Sequence, residues 1–121
     1  MVRVSAANVN FRLSPDLKAT LVGKLPKNTL LYVQSATEKW LRAETGDRQK
    51  GYIYQSLVES IDEPLEEIQL VEEMELVDFP GSQSVVMQDI PSGSPISILA
   101  AHGNYYYVST SQNGRGWLEK P

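Results

Sequence analysis

Short runs of apolar residues, broken by Gly, Pro, Asn and Asp, recur along the whole chain. Apolar and polar positions alternate in residues 3–12, and further short runs cover residues 29–34, 40–44 and 50–54. Alternation with a period of two, bounded by turn residues, is typical of β-strands. The sequence therefore predicts an all-β protein, with a short 3₁₀ turn over residues 54–57 before a strand at 58–61.

One segment, residues 64–75, has features of a helix, because it begins with a proline and is rich in glutamate. Its apolar positions fit neither the helical period nor the strand period cleanly. We predict that its first part is a linker and that its end is a strand.

An internal repeat with an offset of 65 residues is the strongest feature of the sequence. The alignment needs no gap from residue 15 onward. Both copies share a Gly-aromatic-aliphatic step, which predicts a close approach of strands where any side chain on the glycine would clash. The matched pairs are Pro15 with Pro80, Leu25-Pro26 with Ile90-Pro91, Val33 with Ile98, Ala36 with Ala101, Trp40 with Tyr105, Thr45 with Thr110, and Gly51-Tyr52-Ile53 with Gly116-Trp117-Leu118.

The repeat predicts two small β-barrels in tandem, each near the lower size limit for independent stability. We expect a first barrel over residues 1–61, an acidic linker over 62–71 and a second, divergent barrel over 72–121. The second copy stops at Glu119-Lys120-Pro121 without residues equivalent to the 3₁₀ turn and last strand of the first, and the stretch around 68–71 is a candidate to close that barrel instead.

Charge is distributed unevenly between the two halves. Residues 1–58 carry nine Lys or Arg and four Asp or Glu, which gives +5, whereas residues 59–121 carry two and eleven, which gives −9. Nine of the carboxylates lie between Glu59 and Asp78. This strip is either a solvated linker and edge strand or a surface that docks on the basic first half.

Several kinds of chemistry are disfavoured by the residues present. With no cysteine and the single histidine, His102, at a predicted hairpin tip, we expect neither a metal site nor a Cys/His nucleophile, and no cofactor. No phosphate-binding loop or converging carboxylate pair is evident, so we do not predict an enzyme. Scattered lysines in an acidic chain argue against nucleic acid, and no apolar run is long enough to span a bilayer.

Residues 9–15, 22–29, 38–43 and 50–57 resemble the motifs of bacterial SH3-like domains. The likeness is weaker over residues 72–120, where the opening motif has lost its Asn and Arg at residues 76–80. Ser14 also stands where the family favours glycine. The resemblance implies a barrel of five or six strands and non-catalytic attachment to cell wall or to partner proteins, often beside a hydrolase domain.

A binding groove is predicted near Trp40, because alternation places Leu41 and Ala43 on one face of the strand and Trp40 and Arg42 on the other. An indole beside a guanidinium is a good platform for sugars, peptides or carboxylates. Tyr54 could form the other wall. The alternatives are that Trp40 merely covers one end of the barrel and that Tyr54 closes the core.

In the second copy, Tyr105 and Tyr107 share one strand face, and Trp117 follows Gly116. We assign these three aromatic residues to an interface, although a ligand groove or ordinary strand packing is also consistent with the sequence.

The sequence thus favours a non-catalytic module that recognises a peptidoglycan fragment, a peptide or an envelope protein. The alternative is a structural or regulatory domain that packs against a neighbouring domain, such as a hydrolase domain. Envelope or secreted localisation would require an export signal upstream of Met1.

Overall fold

A computed structural model describes residues 1–112 and 114–120, and in these residues every regular element except one 3₁₀ turn is a β-strand. The chain forms two compact units, the first spanning Met1–Ile61 and the second beginning at Asp62. The prediction of an all-β fold is confirmed.

The first unit contains seven strands in one antiparallel sheet with the order β3-β2-β6-β5-β4-β1-β7. The 3₁₀ turn, Gln55–Leu57, lies where the sequence predicted it, directly before the last strand. The strands are β1 (Val2–Val4), β2 (Val9–Arg12), β3 (Leu21–Leu25), β4 (Leu30–Ala36), β5 (Trp40–Thr45), β6 (Lys50–Tyr54) and β7 (Val58–Ser60).

Alternation along β2, β5 and β6 determines which side chains form the core of the first unit. In β5, Leu41 and Ala43 are buried while Trp40 is half-buried and Arg42 is exposed, as the sequence predicted. The inner face collects one apolar cluster, and the outer face of the same strands is left for polar and aromatic side chains. The buried cluster comprises Val4, Val9, Phe11, Leu25, Leu31, Leu41, Ala43 and Ile53.

The second unit contains six strands in the order β10-β9-β13-β12-β11-β8. This order matches that of the first unit, strand for strand, except that the described residues contain no counterpart of β7. The strands are β8 (Glu66–Gln69), β9 (Met74–Val77), β10 (Val86–Ile90), β11 (Pro95–His102), β12 (Tyr105–Thr110) and β13 (Arg115–Glu119). The core cluster comprises Leu70, Leu76, Ile90, Ile96, Ile98, Val108 and Leu118.

The 65-residue offset holds for strand register as well as for strand order. The β5–β6 hairpin and the equivalent β12–β13 hairpin are each held by a Thr hydroxyl that accepts a backbone N–H four residues later, at 3.0 Å in Thr45 and 3.1 Å in Thr110. The equivalent register pairs are Trp40↔Tyr54 with Tyr105↔Glu119, Arg12↔Tyr52 with Val77↔Trp117, and Val33↔Ala43 with Ile98↔Val108.

The two predicted close approaches at glycine are confirmed. A Cβ on Gly51 would lie 2.8 Å from ring atoms of Phe11 and 2.9 Å from the carbonyl oxygen of Arg12. A Cβ on Gly116 would lie 2.9 Å from Cγ of Leu76 and 3.0 Å from the carbonyl oxygen of Val77. The same strand crossing therefore requires glycine in both units.

The predicted acidic linker differs from the structure. Within residues 62–71, Glu66–Gln69 form β8, which pairs with β11 from Pro95↔Gln69 to Ile98↔Glu66. Ile68 is half-buried and Leu70 is buried, so the two apolar side chains lie two residues apart and face the core. The surrounding carboxylates hid this strand period in the sequence. The stretch around 68–71 thus contributes to the second sheet.

Candidate functional site

Trp40 and Tyr54 form an aromatic pair on the outer face of the first unit. They are directly opposite each other on β5 and β6, and both are half-buried. Their ring centroids lie 4.9 Å apart with an interplanar angle of 89°, an edge-to-face arrangement. The pair is fixed by the strand register, because alternation turns both side chains away from the core.

Strand β2 and the segment after it supply further walls beside the aromatic pair. Alternation in β2 buries Val9 and Phe11 and leaves Asn10 and Arg12 half-buried on the outer face. The segment from Leu13 to Thr20 returns over this face and is fastened by the backbone bond from the Leu13 N–H to the Thr20 carbonyl, 2.8 Å. A groove therefore forms between this segment and the aromatic pair.

The groove of the first unit has a cavity volume of about 290 Å³. Its lining combines aromatic and aliphatic surface with amide and guanidinium groups, and it contains no carboxylate. We call it the basic groove. It is lined by Ala6, Ala7, Asn8, Val9, Asn10, Arg12, Leu17, Trp40, Tyr54 and Leu57.

Arg12 is the cation that the structure brings into the basic groove. Its Nη1 donates to the carbonyl oxygen of Ala19 at 3.0 Å, which holds the guanidinium in place. Among residues 1–112 and 114–120, no carboxylate oxygen lies within 4.0 Å of the Arg12 guanidinium. The positive charge is thus half-buried, oriented and not compensated by an acidic side chain of the described chain.

Arg42, the cation that the sequence placed beside Trp40, is exposed and does not line the groove. It lies opposite Tyr52, which in turn lies opposite Arg12. Sequence reasoning named Trp40 and Tyr54 and missed Arg12 and Asn10 as lining residues. The available signal was the alternating Asn10-Phe11-Arg12 of β2, which puts both polar side chains on the face that bears Trp40.

The three predicted interface residues of the second unit divide into two groups. Tyr107 and Trp117 are buried, with ring centroids 5.1 Å apart and an interplanar angle of 62°. They lie on the face opposite to Val108 and Leu118, which belong to the core. Tyr105 is half-buried and lines a groove. The assignment of these three residues to an interface stays a prediction.

The groove that contains Tyr105 is the positional equivalent of the basic groove but has the opposite charge. Its cavity volume is about 390 Å³, and it contains four glutamates and no Lys or Arg. We call it the acidic groove. Its lining is Glu72, Glu73, Met74, Glu75, Val77, Gly81, Ser82, Ser84, Tyr105 and Glu119.

The substitutions at equivalent positions explain this reversal. With the 65-residue offset, Glu75 stands at the position of Asn10, Val77 at that of Arg12, and Glu119 at that of Tyr54. The aromatic wall is kept only in part, by Tyr105 at the position of Trp40. The repeat therefore preserves a groove in each unit and changes the chemistry of its lining.

Other classes of site find little support in the described part of the chain. No group of three or more His, Asp or Glu side chains is arranged there to hold a metal ion. His102 is half-buried at the end of β11 and makes a ring contact with Trp117, with centroids 6.5 Å apart.

None of the described residues forms a helix that is long and apolar enough to cross a membrane.

The first unit is a small antiparallel β-fold with an aromatic groove on its outer face. Residues 5–60 match the family model for the bacterial SH3 domain, which covers nearly all of the first unit. The first unit belongs to the bacterial SH3 domain family. No curated protein matches the chain.

A solved structure is similar to the chain along almost its whole length. It is the structure of NlpC2 from Trichomonas vaginalis, with a TM-score of 0.51 and 14% sequence identity. The match covers 98% of this chain and 44% of that chain, so the present chain spans less than half of its length. At this identity the likeness shows only that the two units have folds like those in the matched part of that structure.

Proposed function

We propose that the first unit is a non-catalytic recognition module that holds bacterial cell-wall material in the basic groove. The observation that carries the proposal is the Trp40–Tyr54 pair in one groove with Arg12. Aromatic and arginine side chains that are partly desolvated together provide most of the energy in many binding sites. The family of the first unit is one of binding modules, which supports the same reading.

The envelope is the compartment in which such a ligand occurs, and we propose it as the place of action. The family resemblance also favours a neighbouring hydrolase domain, which the module would bring to its substrate. The proposal also covers an envelope protein as ligand, since a peptide segment of such a protein offers the groove the same chemical groups as the peptides of the cell wall.

Replacing Trp40 with alanine is the direct test of the proposal. We expect binding to purified peptidoglycan in a sedimentation assay to fall at least tenfold, the size of effect typical of a central aromatic contact. Trp40 lies outside the core cluster, so the folded state loses mainly the ring pair with Tyr54, about 1 kcal/mol. The melting temperature should therefore change by only a few degrees.

The matched control is Tyr32→Ala, which removes an exposed aromatic ring of β4 that does not line the groove. This variant should sediment with peptidoglycan as the wild type does. Equal losses in the two variants, or a wild-type protein that does not sediment at all, would argue against recognition of the wall by this groove.

Removal of the equivalent aromatic ring in the second unit should have little effect on the same assay. A ligand that suits a groove with a cation and no carboxylate is disfavoured by a groove lined by four glutamates. We expect Tyr105→Ala to keep peptidoglycan binding within about twofold of the wild type. A loss as large as that of Trp40→Ala would show that both grooves bind, in contradiction to their opposite charges.

A further inference from the structure

The basic groove is rich in hydrogen-bond donors that the described chain does not use. No side-chain hydrogen bond within the described residues involves Nε1 of Trp40, Oη of Tyr54 or Nδ2 of Asn10. The Arg12 guanidinium donates one N–H to the Ala19 carbonyl and has four further N–H groups. The lining therefore offers donors and a positive charge but no side-chain carboxylate to accept from a cationic ligand.

The position of the Arg12 charge makes it suited to a carboxylate in particular. A guanidinium presents parallel N–H groups whose spacing matches the two oxygens of a carboxylate, and such bonds are about twice as strong as neutral ones. The anchoring bond to Ala19 orders the side chain before any ligand arrives, which lowers the entropic cost of binding. Half-burial beside aromatic and aliphatic walls lowers the local dielectric constant and strengthens the attraction.

The charges around the groove are consistent with this assignment. Tyr54 also lines a second, shallow depression with Glu38 and Lys39, whose charges are opposite. In the second unit, Val77 replaces the guanidinium and glutamates replace four of the other lining residues. The chain thus contains a groove of equivalent position in which the proposed contact is absent.

We propose that the basic groove holds a free carboxylate of a peptide ligand on Arg12, while the adjoining peptide or aliphatic part packs on Trp40 and Tyr54. The location of the site rests on the proposed function, and the added content is the chemical group that is recognised. A peptide end or an acidic side chain in wall material supplies this group.

The first experiment compares peptidoglycan with and without its carboxylates. One sample is converted to methylamides with carbodiimide and methylamine, and the other is treated without carbodiimide. Wild-type protein should bind the amidated sample about tenfold or more weakly than the control sample. Equal binding to both samples would overturn the proposal while leaving recognition of the wall intact.

Variants then assign the effect to Arg12. Arg12→Gln removes the charge and keeps a polar side chain, and it should bind control peptidoglycan about tenfold more weakly with no further loss on amidation. Arg12→Lys keeps the charge without the parallel N–H groups, so its binding should lie between the two and stay sensitive to amidation. Melting curves of both variants verify that the first unit remains folded.

Arg42→Gln is the matched charge control, because Arg42 is on the same sheet face but outside the groove lining. It should bind as the wild type does. If Arg42→Gln loses binding and Arg12→Gln does not, the ligand contact belongs to Arg42 and the proposal is overturned.

A soluble probe separates the carboxylate proposal from the proposal of wall binding. Acetyl-glycyl-glycine, which has a free carboxylate, is titrated to roughly 10 mM against the whole chain, and its C-terminal amide serves as the control. The NMR signals of Arg12 Nε–H and Trp40 Nε1–H should shift with the acid and not with the amide. Shifts with the acid but no sedimentation with peptidoglycan would retain the carboxylate site and reject the wall, whereas no shift with the acid would reject the site.

Discussion

Replacing Gly51 with alanine is expected to remove a large share of the stability of the first unit. The new Cβ would meet the Phe11 ring and the Arg12 carbonyl at 2.8 and 2.9 Å, both well inside contact distance. Phe11 is fully buried, and a backbone carbonyl cannot turn aside as a flexible side chain can. Overpacking of this kind costs about 1–3 kcal/mol or more.

That cost is large relative to the stability available. A unit of about 60 residues buries a smaller share of its surface than a large domain does, and its free energy of unfolding is expected to be roughly 3–9 kcal/mol. The indole N–H signals of Trp40 and Trp117 report on the two units separately during urea unfolding of the whole chain. The Trp40 signal of Gly51→Ala should vanish at a much lower urea concentration than in the wild type.

Gly23→Ala provides the control for this prediction, since a Cβ there would have nothing within 4 Å. It should leave stability unchanged or raise it slightly, because alanine restricts the unfolded chain more than glycine does. If both variants unfold at the same urea concentration as the wild type, the strands approach less closely than the structure indicates.

Replacing Phe11 with alanine should cost the first unit even more, about 3–5 kcal/mol, because it removes a large, fully buried side chain and leaves a cavity. Since β2 also presents Asn10 and Arg12 to the basic groove, loss of its packing should abolish peptidoglycan binding together with folding. Urea unfolding and sedimentation on the same protein sample check both consequences.

The control for Phe11→Ala is Leu13→Ala, two residues further along the chain, where the side chain is 65% exposed. Its unfolding midpoint should match that of the wild type within error. A wild-type midpoint for Phe11→Ala, by contrast, would show that the core does not depend on β2 as the structure implies.

The architecture was largely predictable because it depends on local periods and on the repeat. Alternation in β5 predicted which of Leu41, Ala43, Trp40 and Arg42 face the core, and the structure agrees. The 65-residue offset predicted the glycine crossings, since Gly51 and Gly116 contact equivalent positions in β2 and β9. Both features need only the order of residues along a strand.

The groove was predictable only in part, because its lining depends on how separate strands are placed across the sheet. Period-two alternation puts both Arg12 and Arg42 on the outer face and does not distinguish between them. Arg12 enters the groove because β2 borders the segment from Leu13 to Thr20, and the Ala19 carbonyl then holds it there. Arg12 and Ala19 are seven residues apart and are joined by an irregular segment. Because such a segment has no regular period, its contacts are not predictable from the sequence pattern.

The segment around Glu66 shows the opposite problem, in which charge obscured a strand. Four of its residues from Asp62 to Glu67 are acidic, which is typical of a linker, yet Ile68 and Leu70 anchor it to the second core. Pairing with β11 satisfies the backbone of β8 on one side, and Glu66 and Glu67 of this strand are exposed.

The one-sided pairing of β8 in the described residues has a consequence for association between copies of the chain. In the first unit β1 is flanked by both β4 and β7, whereas within the described residues β8 pairs only with β11 and ends its sheet. An uncovered sheet edge is a template for strands of other molecules. A second copy that added its own β8 in parallel register at this edge would bring glutamates to within about 5 Å of one another, and the like-charge repulsion would disfavour this addition.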